Sequence, residues 1–237
     1  MSIEGTAGAG SGDGSGTSVT SISLTAHLPF RSWSHPDLLY MLARAMSWTG
    51  PVEITQPDPG APMKHLFLLR HAKSDWDDRA LDDFDRPLSR RGQAAVSLLT
   101  AYFRKEAIRP DSIVCSPARR TRETLAPLLD LFADVPVLFE KRLYEAGTTT
   151  LAGLVADLPE RADSVLIIGH NPGLQRLALL LAEAAPRSPS HERMAAKFPT
   201  GALAELTAGP GGWRDLGAGQ WRLTGFTRPV DLGGTDD

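Results

Sequence analysis

The sequence contains a single cysteine, Cys115, among 237 residues. One thiol permits no internal disulfide and supplies no ligand set for a structural zinc, so nothing points to an oxidising compartment. Long apolar runs are also missing. The stretch Leu177 to Ala185 is among the longest and falls well short of the ~20 residues needed to span a bilayer. Nor does the chain open with a basic segment followed by an apolar one, and the expectation is a cytoplasmic protein that meets no membrane. Charge of one sign is not in excess, since 25 Lys and Arg face 28 Asp and Glu for a formal net charge of −3. That balance lacks the basic footprint of a nucleic-acid binder, and no nucleic-acid partner is expected. No internal repeat recurs at a period of ~20–50 residues. What is present in quantity is apolar side chain, 42% of the chain, enough for one sizeable core.

That core does not begin at residue 1. Residues Gly5 to Ser23 are mostly Gly, Ser, Thr and Ala, too poor in large apolar groups to offset the entropy of ordering. Between Pro36 and Trp48, Leu39, Leu42, Ala43 and Met46 recur at helical spacing, before Pro51, Pro57, Pro59 and Pro62 break the pattern. The expected organisation is an extension over 1–62 with one short helix, a folded domain over 63–232 and a tail over 233–237. Met63 is a natural start for the domain.

From His65 onward, continuous apolar runs alternate with amphipathic stripes, which implies a three-layer α/β/α fold around a mostly parallel sheet. Strands are expected at Leu66 to Leu69, Ser112 to Cys115, Val135 to Phe139 and Val165 to Ile168. Four helical stripes lie between or after them. The first contains Ala95, Leu99, Tyr102 and Phe103. The second, Leu125, Leu128, Leu129 and Phe132, is expected to kink at Pro127. The others contain Leu151, Leu154, Val155 and Leu158, and Leu174, Leu177, Ala178 and Leu181. Ala202 to Thr207 and Trp221 to Phe226 read as a closing hairpin, which makes the sheet mixed at one edge.

In such sheets ligands gather beyond the carboxyl ends of the strands. The first strand ends in Arg70-His71, the second in Ser116-Pro117 with Arg119, Arg120 and Arg122 behind it, the fourth in Gly169-His170-Asn171. Two imidazoles and at least two guanidiniums on one rim suit a dianionic phosphate, because guanidinium donors match phosphate oxygens in pairs. The helix after Asn171-Pro172-Gly173 is expected to add backbone N–H groups. A neutral imidazole can also attack phosphorus itself.

These residues resemble the motifs of the histidine phosphatase superfamily. Arg70-His71-Ala72-Lys73-Ser74 is similar to its Arg-His-Gly signature, with Ala72 where glycine is usual. Ser116 to Thr124 resembles the second motif, whose phosphate-binding arginine falls at Arg120, and Gly169-His170-Asn171-Pro172 resembles the segment carrying the second histidine. The run Asp82 to Gly92 with Asp85-Arg86-Pro87-Leu88, together with Phe198 to Leu203 and Arg228 to Leu232, is similar to the SixA-type phosphohistidine phosphatases. The resemblance spans Lys64 to Leu232. It implies a phosphoglycerate mutase-like fold and a metal-independent phosphatase without a cofactor. His71 would be the nucleophile, with Arg70, Arg120, His170 and Ser74 binding phosphate. Glu145, in Leu143-Tyr144-Glu145-Ala146, occupies the interval where one branch carries its general acid. A leaving imidazole that is already protonated would make that acid dispensable. The expected substrate is a phosphohistidine-bearing protein, with a small phosphomonoester as the alternative.

Rival enzymatic readings fail on spacing or on room. A cysteine phosphatase needs Cys-x5-Arg, but Thr121 lies six residues after Cys115, which reads as a buried strand residue. His and Asp are nowhere at metal-ligand spacing, and Asp77, Asp78, Asp82, Asp83 and Asp85 read as a solvated loop. A mutase acting on small sugar phosphates needs enclosing insertions for which the domain has little room. A phosphoprotein-binding module without turnover remains the non-enzymatic alternative.

Overall fold

The first strand, β1, runs Met63–Arg70, and its side chains alternate between two covered faces of a sheet. Leu66 and Leu68 point into one layer and Leu69 into the other, all fully buried. The computed structural model to which β1 belongs describes residues 63–235. The N-terminal extension, with the helix expected near Leu39 to Met46, and residues 236–237 lie outside the described residues.

Five more strands follow: β2 (Ser112–Cys115), β3 (Val137–Phe139), β4 (Ser164–Gly169), β5 (Leu203–Pro210) and β6 (Trp221–Thr227). Their order in the sheet is β3-β2-β4-β1-β5-β6. β1, β2, β3 and β4 pair in parallel, β5 runs antiparallel to β1, and β6 closes the edge antiparallel to β5. This is the mixed-edge, mostly parallel sheet read from the apolar runs. The expected third strand starts two residues late, at Val137, because Pro136 has no N–H to give to the ladder.

Helices α1 (Arg90–Lys105) and α2 (Arg119–Leu125) cover one face, placing Leu99, Phe103 and Leu125 on Ile113, Ile168 and Leu203. Helices α3 (Thr148–Ala156), α4 (Gly173–Leu181) and α5 (Pro189–Ala196) cover the other, bringing Leu151, Leu177 and Met194 to Leu66, Val165 and Ile167. Each fully buried leucine contributes about 1.5–3 kcal/mol by leaving water, which is what fixes the two helical layers on the sheet. The second stripe does not remain one helix with a kink. α2 ends at Leu125, and a 3₁₀ turn, Ala126–Leu128, carries the chain on, since Pro127 cannot donate to the carbonyl four residues back. Leu128 and Phe132 are nevertheless buried as expected, while Leu129 is exposed.

Strand register sets the site. Arg70 is level with Gly169, and Cys115 with Ile168, so the chain leaves β1, β4 and β2 at nearly one height. Cys115 is fully buried, its Sγ donating to the Ser116 carbonyl at 3.3 Å, and burial pushes its thiol pKa up to about 12. Two glycines close the packing around the rim. A Cβ on Gly92 in α1 would lie 2.1 Å from the Lys73 carbonyl oxygen, and one on Gly173 in α4 would lie 2.3 Å from that of Ala146. Glycine at these points lets the β1–α1 loop and the segment bearing Glu145 lie directly on helix starts.

Candidate active site

Beyond β1, the backbone N–H of His71 donates to the Gly169 carbonyl at 3.1 Å, which ties the imidazole to the end of β4. His71 Nδ1 lies 2.8 Å from the carbonyl oxygen of Ala72. A carbonyl only accepts, so Nδ1 carries the proton and the neutral ring keeps its lone pair on Nε2. Burial is the main reason that the His71 pKa falls to about 4. The Arg120 and Arg70 charges push the same way, against the Ala72 hydrogen bond. The ring is therefore neutral at physiological pH.

His170, one residue past β4, stands beside it with ring centroids 5.1 Å apart. Its Nδ1 is 3.3 Å from Arg120 Nη2 and its Nε2 is 2.8 Å from Ser116 Oγ. A guanidinium only donates, so Nδ1 accepts and Nε2–H points to the serine. Desolvation, then the neighbouring positive charges, lower this pKa to about 3. Ser116, fully buried and quoted only as part of a motif, thus orients the second imidazole.

Arg120 projects from the first turn of α2 and is almost wholly buried. The helix start is braced by Thr121, whose hydroxyl donates to the Ser116 and Ala118 carbonyls at 2.7 Å. Thr124 Oγ1 accepts the Ala72 N–H at 3.0 Å, joining α2 to the residue after His71. Arg70 Nη1 and Asn171 Nδ2 both donate to the Phe198 carbonyl, at 2.8 and 2.9 Å, fixing the β4–α4 connection against the loop leading into β5. Ser74 is buried and accepts from Trp76 Nε1 at 3.1 Å. Arg119 is exposed and pairs with Glu123 at 2.7 Å, while Arg122 is exposed.

Glu145 is exposed and adopts a left-handed φ of 51°. The neighbouring Tyr144 packs edge-on against His170, with centroids 5.3 Å apart. The α4 N-terminus departs from expectation: the N–H groups of Leu174, Gln175 and Arg176 go to His170 O, Asn171 Oδ1 and Pro172 O, so this turn does not bring the anticipated set of donors to the anion.

Asp83, expected in a solvated loop, is instead part of the site. Its segment is not simply solvated: a 3₁₀ turn, Asp83–Asp85, sets the Asp83 carboxylate 2.8 Å from Arg120 Nη2, and Tyr144 Oη donates to the same oxygen at 2.9 Å. Partial burial opposes ionisation, but the Tyr144 and Arg120 hydrogen bonds prevail and hold the carboxyl below its usual range. The available signal was its place three residues before Arg86, in the run that resembles the SixA type. Among the described residues, no group of three or more His, Cys, Asp and Glu is placed to hold a metal ion. A groove of ≈ 630 Å³ opens alongside, between α1 and a C-terminal 3₁₀ turn (Pro229–Leu232), lined by Lys73, Arg91, Leu98, Pro199, Thr200 and Val230.

Two neutral imidazoles and two guanidiniums converging beyond parallel strands can bind a phosphoryl dianion and offer it a nucleophilic nitrogen. Residues 66–173 match the histidine phosphatase superfamily (branch 1). An uncharacterized protein of Mycobacterium tuberculosis is 34% identical over 162 residues, 68% of this chain and 99% of its own. Another, from Arabidopsis thaliana chloroplasts, is 32% identical over 181 residues, 70% of this chain and 78% of its own. Among solved structures, a protein assigned as phosphohistidine phosphatase SixA from Nakamurella multipartitia superposes with a TM-score of 0.63 at 30% identity, covering 74% of this chain and 99% of that one. The chain belongs to the histidine phosphatase superfamily, is SixA-like and is a phosphatase of the hydrolase class.

Proposed function

We propose that the protein is a metal-independent protein phosphohistidine phosphatase that acts through a phosphohistidine intermediate on His71. The observation that carries this reading is the 2.8 Å hydrogen bond from His71 Nδ1–H to the Ala72 carbonyl, which leaves Nε2 as the basic nitrogen of a neutral ring. In the first step the Nε2 lone pair forms a bond to phosphorus while the bond from phosphorus to the leaving nitrogen breaks, and the substrate imidazole, protonated on its other nitrogen, keeps that electron pair and departs neutral. The imidazole ring of His71 gains positive charge, and the Ala72 carbonyl stabilises it more as that charge grows. In the second step water attacks phosphorus, the bond to Nε2 breaks and neutral His71 is restored as inorganic phosphate leaves. Arg70, Arg120 and Ser74 hold the equatorial oxygens, joined by His170 Nε2–H once it exchanges Ser116 for phosphate. Guanidiniums and imidazole fill the charge-stabilising role that a metal ion has elsewhere. In this reading Glu145, next to Tyr144, protonates a poor leaving group.

The protein substrate is supported by the groove beside the rim. Its apolar body, Leu98, Pro199 and Val230, suits a polypeptide surface better than a sugar phosphate, and Lys73 and Thr200 join it to the residues around His71. The reading includes a cytoplasmic location, for which the lone buried thiol is the support. Rapid quench with a phosphohistidine-labelled protein should trap acid-labile phosphate on the native chain and none on His71→Ala, which should lose turnover. Activity above a few per cent in that variant would refute the mechanism.

A further inference from the structure

Arg120 is the most enclosed cation of the site, and a carboxylate already occupies its terminal fork. Nη1 donates to the Asp83 backbone carbonyl, and Nη2 donates to Asp83 Oδ2 at 2.8 Å and toward His170 Nδ1 at 3.3 Å. Both Nη2 protons are therefore engaged before any ligand arrives. Tyr144, which gives its hydroxyl to Asp83 Oδ2, lies 5.8 Å beneath the Arg120 guanidinium and also meets Phe84 edge-on at 5.1 Å. Exposure is lopsided: the Arg120 side chain is 7% accessible and that of Asp83 is 43%. The carboxylate can thus return to water with little desolvation penalty, whereas the guanidinium cannot follow it.

We infer that Asp83 is a positioning residue that stands in for the phosphoryl group in the empty site and is displaced by it. While the site is empty, Asp83 keeps Arg120 and Tyr144 aligned and satisfied, as a buried guanidinium requires. A phosphoryl group takes over the Nη2–H and the tyrosine hydroxyl, and the segment spanning 80–87 is released from the rim as it does so. The exchange also discriminates by charge. A dianion outcompetes a singly charged carboxylate for one guanidinium, but a phosphodiester or a substrate carboxylate, each carrying a single charge, has no such advantage. The inference rests on the reading of Arg120 as a phosphate ligand, and it concerns which group must leave.

The test uses the full chain and inorganic phosphate at a pH where it is the dianion. Calorimetry should show Asp83→Asn binding phosphate about two- to fivefold more tightly than the native protein, the scale expected for one half-exposed ion pair. Asp83→Ser should change binding in the same direction, which guards against a fault peculiar to the amide. In native protein, hydrogen exchange over 80–87 should accelerate when phosphate binds, the opposite of ordinary ligand protection. Slower exchange there, equal or weaker phosphate binding by Asp83→Asn, or no phosphate binding to either protein would overturn the inference. Failure of the phosphatase reading looks different: His71 then takes no acid-labile label, whatever the loop does.

Discussion

At the scale of single residues, the site depends on keeping two imidazoles neutral. Both pKa values lie below the ordinary 6.5, near 4 for His71 and near 3 for His170, with desolvation as the first cause of each. An unfolded histidine binds its proton near pH 6.5, whereas these folded ones resist until well below 5. Between those limits the unfolded state takes up more protons, so stability falls as pH drops through this window and is fully present above it. Nitrogen-15 spectra should show neither ring titrating near pH 6.5 and both titrating below pH 5. A His71 inflection near 6.5 would mean an open, hydrated ring. Glu145→Gln separates two leaving groups. Loss of about 10²-fold in kcat on a phosphomonoester, whose alkoxide needs a proton, should accompany little loss on a phosphohistidine protein; equal losses on both would show that Glu145 does something other than protonate. His71 and His170 were legible in the sequence because each ends its own buried strand, and local pattern predicts that. Asp83 was not, because its partner lies 37 residues on and no periodicity encodes such a pairing.

At the scale of elements, glycine in a helix ordinarily destabilises by roughly 0.5–1 kcal/mol relative to alanine. Two helical glycines should therefore respond in opposite directions. Gly153 in α3 is exposed with nothing within 4 Å of an added Cβ, and Gly153→Ala should stabilise by about that amount. Gly92→Ala would drive a methyl to 2.1 Å from the Lys73 oxygen, which also accepts the Ser89 N–H at 2.9 Å and the Ser89 hydroxyl at 3.1 Å. It should destabilise by about 1–3 kcal/mol as an overpacked contact and disturb Ser74. Urea unfolding of the two variants settles the signs; stabilisation by Gly92→Ala would mean that this loop yields freely. The strands and four stripes were legible because large apolar residues repeat within them. α5 was not, since its one buried apolar anchor is Met194, and the two charged residues Glu192 and Arg193 do not announce a helix.

At the scale of the whole molecule, we expect the chain from Met63 onward to fold and to keep its activity. Relatives that align over 68% of this chain do so over 99% of their own length, and Met63 already pairs with Pro210 in the sheet. An insoluble or inactive product would show that the first 62 residues contribute to the fold. The same protein should favour a phosphohistidine-bearing partner over a small ester; preference for the ester by tenfold in kcat/KM, about 1.4 kcal/mol, would leave the chemistry standing and remove the protein substrate. Among the described residues, no helix is long and apolar enough to cross a membrane. Cys115 makes these comparisons practical. With its thiolate suppressed and its sulfur sealed between sheet and helices, it can be alkylated only when the layers part. Being the sole thiol in the sequence, it is an internal clock: the rate at which an alkylating reagent consumes it counts openings of the sheet under native conditions, at picomole scale and without denaturant. That clock should run faster in Gly92→Ala and slower in Gly153→Ala.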